Sequence, residues 1–150
     1  MTLETLQQWI CDLIAADAWL AGRRVAAVAE SRADAAAEIE AATAAFGLCA
    51  LVMTPAFAAD GQEEGIVSGT ATVVVQVGEI PATNRAAAGH ATALAAAQHI
   101  AAAATRWPGC SVAGVRLVDL GGDLDGSAVA YQTEIRIPLA LSIDTTDTTD

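Results

Sequence analysis

A chain of 150 residues has the length of one ordinary domain and can bury a core without disulfide or metal staples. Its apolar fraction is 54%, but 37 residues are Ala and only six are aromatic; seven Arg, no Lys and 18 acidic residues leave a formal charge of −11. That balance opposes non-specific binding to nucleic acid or to an anionic membrane. The missing lysine excludes a Walker-A loop, a pyridoxal Schiff base and a lysine nucleophile.

Taken in chain order, Leu3, Leu6, Ile10, Leu13 and Ile14 mark one face of a helix over Leu3–Leu20, with Thr2 as N-cap and Gly22 as its end. Arg23–Glu30 reads as a short strand. Ser31 opens an S-x-x-D capping pattern with Asp34 ahead of a second helix that runs to Phe46 and stops at Gly47. Leu48–Phe57 is apolar on both faces, as a doubly covered central strand would be. Asp60–Gly65 reads as a polar loop into the strand Ile66–Val77, where Val67, Ala71, Val73, Val75 and Val77 alternate with polar residues. After Pro81, Thr83 or Asn84 caps a long Ala-rich helix ending near Trp107. A second hairpin closes the chain: Ser111–Leu120, a turn at Gly121–Gly126, and a strand from Val129 to Ile143. In that strand Val129, Tyr131, Thr133, Ile135, Ile137, Leu139, Leu141 and Ile143 lie on one face, expected to be core from Ile135 to Leu141, and Gln132, Glu134, Arg136 and Ser142 on the other. Pro138 cannot donate to a ladder, so the strand is expected to lie at an edge or carry a bulge there. The order α-β-α-β-β-α-β-β predicts an α+β fold. It would have an antiparallel or mixed sheet of two hairpins plus a short strand, packed against two to three helices. Residues 1–143 form the expected domain and 144–150 a disordered acidic tail.

Chemistry is sparse. Cys11, Cys49 and Cys110 form no CxxC or CxxH pair and read as reduced, buried thiols of a cytosolic protein. The N-terminus lacks the basic region and cleavage site of a signal peptide, and the uncharged stretches 41–59 and 86–105 are interrupted or too weakly apolar to span a bilayer. His90 and His99, nine residues apart on one helix, would point to opposite faces and could not share a metal. Ser68 does not sit in a G-x-S-x-G elbow. Asp123-Leu124-Asp125-Gly126 echoes the middle of a calcium loop without its closing Glu, and reads better as a turn. Glu63 and Glu64 read as solvated surface. No catalytic, cofactor-binding or metal residue is therefore assigned.

The whole-chain layout resembles the bacteriophage tail terminator (tail completion) family. The likeness rests on the amphipathic opener Leu3–Leu20, the strand Thr70–Val77, Glu79-Ile80-Pro81 leading into a helix, and the closing strand Tyr131–Leu139. It spans residues 2–143 and is architectural, since the family has no short diagnostic motif. The Ala-rich helix and the absence of lysine depart from it. The resemblance implies a structural, non-enzymatic virion-assembly protein of the phage tail or neck, assembled in the host cytoplasm. It would form a homo-oligomeric ring, a hexamer in the family, that caps the tail tube, stops its polymerisation and offers the head a docking surface. The expected partners are other copies of the chain, the tail-tube protein and the head–tail connector, with no cofactor, no sequence-specific nucleic acid and no membrane. Gln132, Glu134 and Arg136, with Glu63 and Glu64, are the candidate interface residues. Two other readings remain open: a different neck or head–tail joining protein, and a small α+β enzyme or ligand-binding oligomer whose site forms between subunits.

Overall fold

The structure is a computed structural model that describes residues 1–81, 84, 89–118 and 128–143. It is α+β, and its helices lie on both faces of one open, mixed, six-stranded sheet. Helix α1 (Leu3–Ala16) starts at a reciprocal cap in which Thr5 N donates to Thr2 Oγ1 at 3.1 Å and Thr2 N to Thr5 Oγ1 at 2.8 Å. Leu6, Ile10 and Ile14 are fully buried, as their spacing predicts. The helix does not reach Leu20. It ends at Asp17, whose carboxylate accepts from Leu20 N at 3.0 Å and opens a separate short helix, α2 (Ala18–Gly22). Aspartate is a poor helix interior and a strong N-cap, so one residue terminates the first helix and starts the next.

Strand β1 (Ala26–Ala29) is shorter than expected and pairs in parallel with β2 (Leu48–Val52) across α3 (Ala35–Phe46). The expected Ser31–Asp34 cap does not form. Asp34 flanks α3 without a side-chain cap, while Ser31 donates to Gln7 Oε1 at 2.6 Å. Gly47 ends α3 in the left-handed region, at φ 69°, and a Cβ there would lie 2.6 Å from Asn84 N. The apolar run 48–57 is two strands rather than one. Met53-Thr54-Pro55 separate β2, covered on both faces, from β3 (Ala56–Glu63), which continues through the residues read as a loop. Its partner β4 (Ile66–Glu79) follows after Glu64-Gly65 alone.

The long Ala-rich helix is also shorter than expected. Gly89–Ala91 are not helical, and α4 (Ala93–Ala104) begins at Thr92, whose hydroxyl accepts from Ala95 N at 3.2 Å. Thr83 lies outside the described residues, and Asn84 is itself helical: its amide donates to the buried Glu79 carboxylate and to Ala91 O, at 2.7 Å for the latter. The last hairpin pairs β5 (Ser111–Leu117) with β6 (Val129–Ser142). The turn expected at Gly121–Gly126 and the tail 144–150 lie outside the described residues.

The sheet order is β1-β2-β4-β6-β5, with β3 sharing the β2 edge of β4. Helices α1 and α4 bury Val73, Val75, Val77, Ile135 and Ile137 on one face, and Thr133 Oγ1 donates to Ala97 O at 3.0 Å across that layer. On the other face α3 covers only β1 and β2, through Ala35, Ala42, Val28 and Cys49. Strand β6 lies inside the sheet, not at its edge, but β5 stops opposite Arg136. Ala130 O bonds to Val118 N on the β5 side, so Pro138, eight residues on, turns its donor-less nitrogen to that same side, past the end of β5. The proline is thus at a local edge, as its chemistry demands. Among the described residues no helix is long and apolar enough to cross a membrane.

All three cysteines are free. Cys11 and Cys49 are buried, but Cys110 is only half-buried, which corrects the expectation for that residue. Burial raises all three thiols, that of Cys49 to about 11, so little thiolate forms at neutral pH. Titration with a thiol reagent is expected to find one slowly accessible group in the native protein, Cys110, and two more on denaturation. Loss of the native signal in Cys110→Ser checks the assignment.

Candidate functional site

Because α3 packs on β1 and β2, no helix among the described residues covers the same face over β4, β6 and β5, where Thr72, Val74, Gln76, Gln132 and Glu134 are half-buried and Arg136 is exposed. The even positions of β6 stand on it in a row: Gln132, Glu134 and Arg136 lie opposite Gln76, Val74 and Thr72. The row is internally paired. Arg136 Nη2 meets Glu134 Oε1 at 2.9 Å, and the Gln132 amide, with its oxygen turned to Arg116, accepts from that guanidinium. An exposed pair of this kind adds little stability, about 0–1 kcal/mol, and holds the side chains in a defined polar pattern.

Glu63 and Glu64 are elsewhere. They sit at the tip of a three-stranded arm formed by β3, the first half of β4 and the last residues of β6. Arg136 lies opposite Thr72, six residues from Ile66, so the row and the tip are roughly 20 Å apart at about 3.3 Å per residue. The five candidate interface residues therefore form two separate surfaces. The arm reaches beyond the helical layer. All of β3 except the half-buried Phe57 is exposed, and Ile66 and Ile143 expose 39% and 69% of their surface at the tip, so Ile143 leaves the buried face that β6 otherwise presents.

A second cluster joins residues 82 positions apart. His99 on α4 donates through Nε2 to both oxygens of Asp17, each at 3.0 Å; a carboxylate can only accept, so Nε2 carries the proton. The imidazole stacks on Trp19 with centroids 4.3 Å apart, and the Arg23 guanidinium lies 4.0 Å from the same indole centroid. Two groups so close to one ring must occupy opposite faces, giving an Arg–Trp–His stack held by Asp17. Burial by itself would raise the Asp17 carboxyl. The His99 hydrogen bond and the Leu20 amide outweigh it and hold the group below its ordinary value of 3.8. The cluster ties the α1–α2 junction to the middle of α4.

A group whose folded value is depressed stabilises the fold above its unfolded value and loses that contribution as pH falls through the folded one. Asp17→Asn keeps a competent N-cap but not the charge. It is expected to lower stability at neutral pH, with the gap to wild type closing as pH falls below 3.8. Urea denaturation across pH 2–7 measures the gap; a pH-independent difference would exclude the carboxylate as its source.

His90 is not on the helix of His99. Its Nδ1 lies 3.3 Å from Phe46 O and its ring packs edge-on against Phe46. Ser68 is exposed on β4, and Asp123–Gly126 lie outside the described residues. Among the described residues no group of three His, Cys, Asp or Glu side chains is placed to hold a metal ion. The Asp17–His99 pair was missed in the sequence because no spacing connects the two; the only signal was an aspartate interrupting an otherwise helical run. Compared with known protein families and with curated proteins, the chain matches none.

Proposed function

We propose that this chain is a structural virion-assembly protein of the tail-terminator kind, working as an oligomeric ring that caps the tail tube and presents a docking surface to the head. The observation that supports this reading is the β3–β4–β6 arm. Its β3 strand is exposed except at Phe57, with a free edge, and Ile66 and Ile143 are exposed at its tip. A lone subunit gains nothing from such a surface, whereas a neighbour that covers it removes both the apolar area and the free strand edge of β3. In a closed ring every copy covers the next and no edge remains to propagate fibres. The negative charge suits a ring through which DNA passes without adhering.

Sedimentation over a wide concentration range, followed by electron microscopy of the protein mixed with its cognate tube protein, tests the proposal. The expected result is a concentration-dependent oligomer and tubes closed at one end. A strict monomer that leaves tube growth unchanged would overturn it.

A further inference from the structure

We propose that successive copies of this chain join edge to edge, the outer edge of β3 in one copy pairing antiparallel with the outer edge of β5 in the next. This deepens the proposed function and rests on it for the premise that the chain self-associates.

Strands β3 and β5 flank the sheet on opposite sides and run in opposite directions. β3 is antiparallel to β4, whereas β5 is antiparallel to β6 and so parallel to β4. Two copies set side by side in the same orientation therefore bring β5 of one against β3 of the other as an antiparallel pair, and one sheet runs through both. Such a contact is heterologous. It uses a different edge on each copy, so every copy still has one to offer the next, as a ring requires. The two strands are 8 and 7 residues long, contain no proline, and have no further strand on their outer edges among the described residues. Unpaired edges of this kind template pairing with another chain.

Charge selects β5 rather than a second β3 as the partner. β3 carries Asp60 and Glu63 and no basic residue, while β5 carries Arg116 and no acidic one. Like edges would set carboxylates, or guanidinium groups, against each other along the seam; unlike edges set each against its opposite. The faces agree as well. Glu63 lies opposite Ile66, and Arg116 lies opposite Gln132, itself opposite Gln76. Ile66 and Gln76 are both even positions of β4, so Glu63 and Arg116 stand on the same face of the sheet. Arg116 meets the neutral Gln132 amide but no carboxylate within ion-pair distance among the described residues. On the other face Val115 and Leu117 expose 36% and 62% of their surface, and Phe57 and Ala59 are β3 residues that share it. The joined seam is thus ionic on one side and apolar on the other. Because β5 lies opposite Tyr131–Arg136, and β3 opposite β4 residues that pair with Arg136–Ser142, successive copies are displaced by roughly 18 Å at about 3.3 Å per residue. A ring absorbs that step by tilting its strands, as a barrel does.

Glu63→Arg and Arg116→Glu test the pairing. Both sites are exposed, so the variants keep the fold, which circular dichroism verifies. Each alone is expected to weaken association in sedimentation about fivefold at low salt, since an opposed pair becomes a like pair. An equimolar mixture should associate like wild type, because each variant presents to the other the charge that it cannot present to itself. The two substitutions in one chain should do the same. Hydrogen exchange should show β3 and β5 amides gaining protection together as concentration rises. An Arg116→Glu variant that associates like wild type, a mixture no stronger than the single variants, protection gained by only one of the two strands, or wild type monomeric at millimolar concentration would overturn the contact. Association with the expected properties but without tube capping would leave this contact standing and remove the proposed function. Tube capping by a chain whose β3 and β5 amides stay unprotected would do the reverse.

Discussion

Ile135→Asp is expected to destabilise the protein by about 3–5 kcal/mol, the cost of an uncompensated buried charge. Ile135 is fully buried among Val73, Val75 and the alanines of α4, where a carboxylate has neither water nor a cation. One position back on the same strand, Glu134 stands on the uncovered face beside Arg136. Glu134→Gln removes one exposed ion pair and is expected to cost less than 1 kcal/mol. Urea unfolding of both variants measures the contrast. Two equal midpoints would mean that β6 is slipped by one residue, because a slip of one exchanges the faces of the whole strand.

That contrast was visible in the sequence because β6 alternates apolar and polar residues over its length, and one face of the sheet is packed under two helices. The same period-2 signal placed β4, whose odd positions from Ala71 to Val77 are buried. Strand β3 was not visible, for a physical reason. Asp60-Gly61-Gln62-Glu63 have turn-like composition, but an edge strand with little packed over it need only satisfy its backbone, and β4 supplies those partners. Helix limits failed where a cap could act from within an apolar run. Asp17 divides the first helix, and Thr92 opens α4 after the non-helical residues Gly89–Ala91.

The candidate surfaces were legible only as pieces. Gln132, Glu134 and Arg136 could be read as one polar face from their spacing. The partner that completes that face, Arg116, comes from β5 through a register no local pattern encodes. Gln7 makes the same point in the core. It is 1% exposed on the apolar stripe of α1 and bridges Val52 O at 2.9 Å and the Ser31 hydroxyl at 2.6 Å, contacts 45 and 24 residues away. A polar residue on a buried face signals that a partner exists but not which one.

Gly69→Val is expected to open the arm while leaving the central ladder folded. Gly69 lies on β4 opposite Ala59, where β3 carries its bulge, and the two backbones cross so closely that a Cβ at Gly69 would overlap the Ala58 carbonyl oxygen. It would also lie 2.9 Å from Ala58 C and Ala59 Cα, and backbone atoms cannot step aside as a side-chain end can. The strain of such overpacking, about 1–3 kcal/mol, must be relieved by moving β3 or sustained by its contacts. Those contacts are few, since β3 is exposed for nearly its whole length and only Phe57 packs against the core. The β4–β6 ladder, by contrast, pairs every residue from Ile66 to Glu79 and does not depend on β3. Hydrogen exchange should therefore show β3 amides losing protection while those of Val73–Val77 keep it. Gly78→Ala, on the same strand with open space at its Cβ, should be neutral or stabilising by roughly 0.4–1 kcal/mol. Under the proposed assembly through the arm, whose tip β3 holds in place, Gly69→Val should also weaken association in sedimentation far more than it lowers the urea midpoint. Unchanged protection of β3 would show that the bulge does not press on Gly69, and the arm would lose its claim to be a separately detachable element.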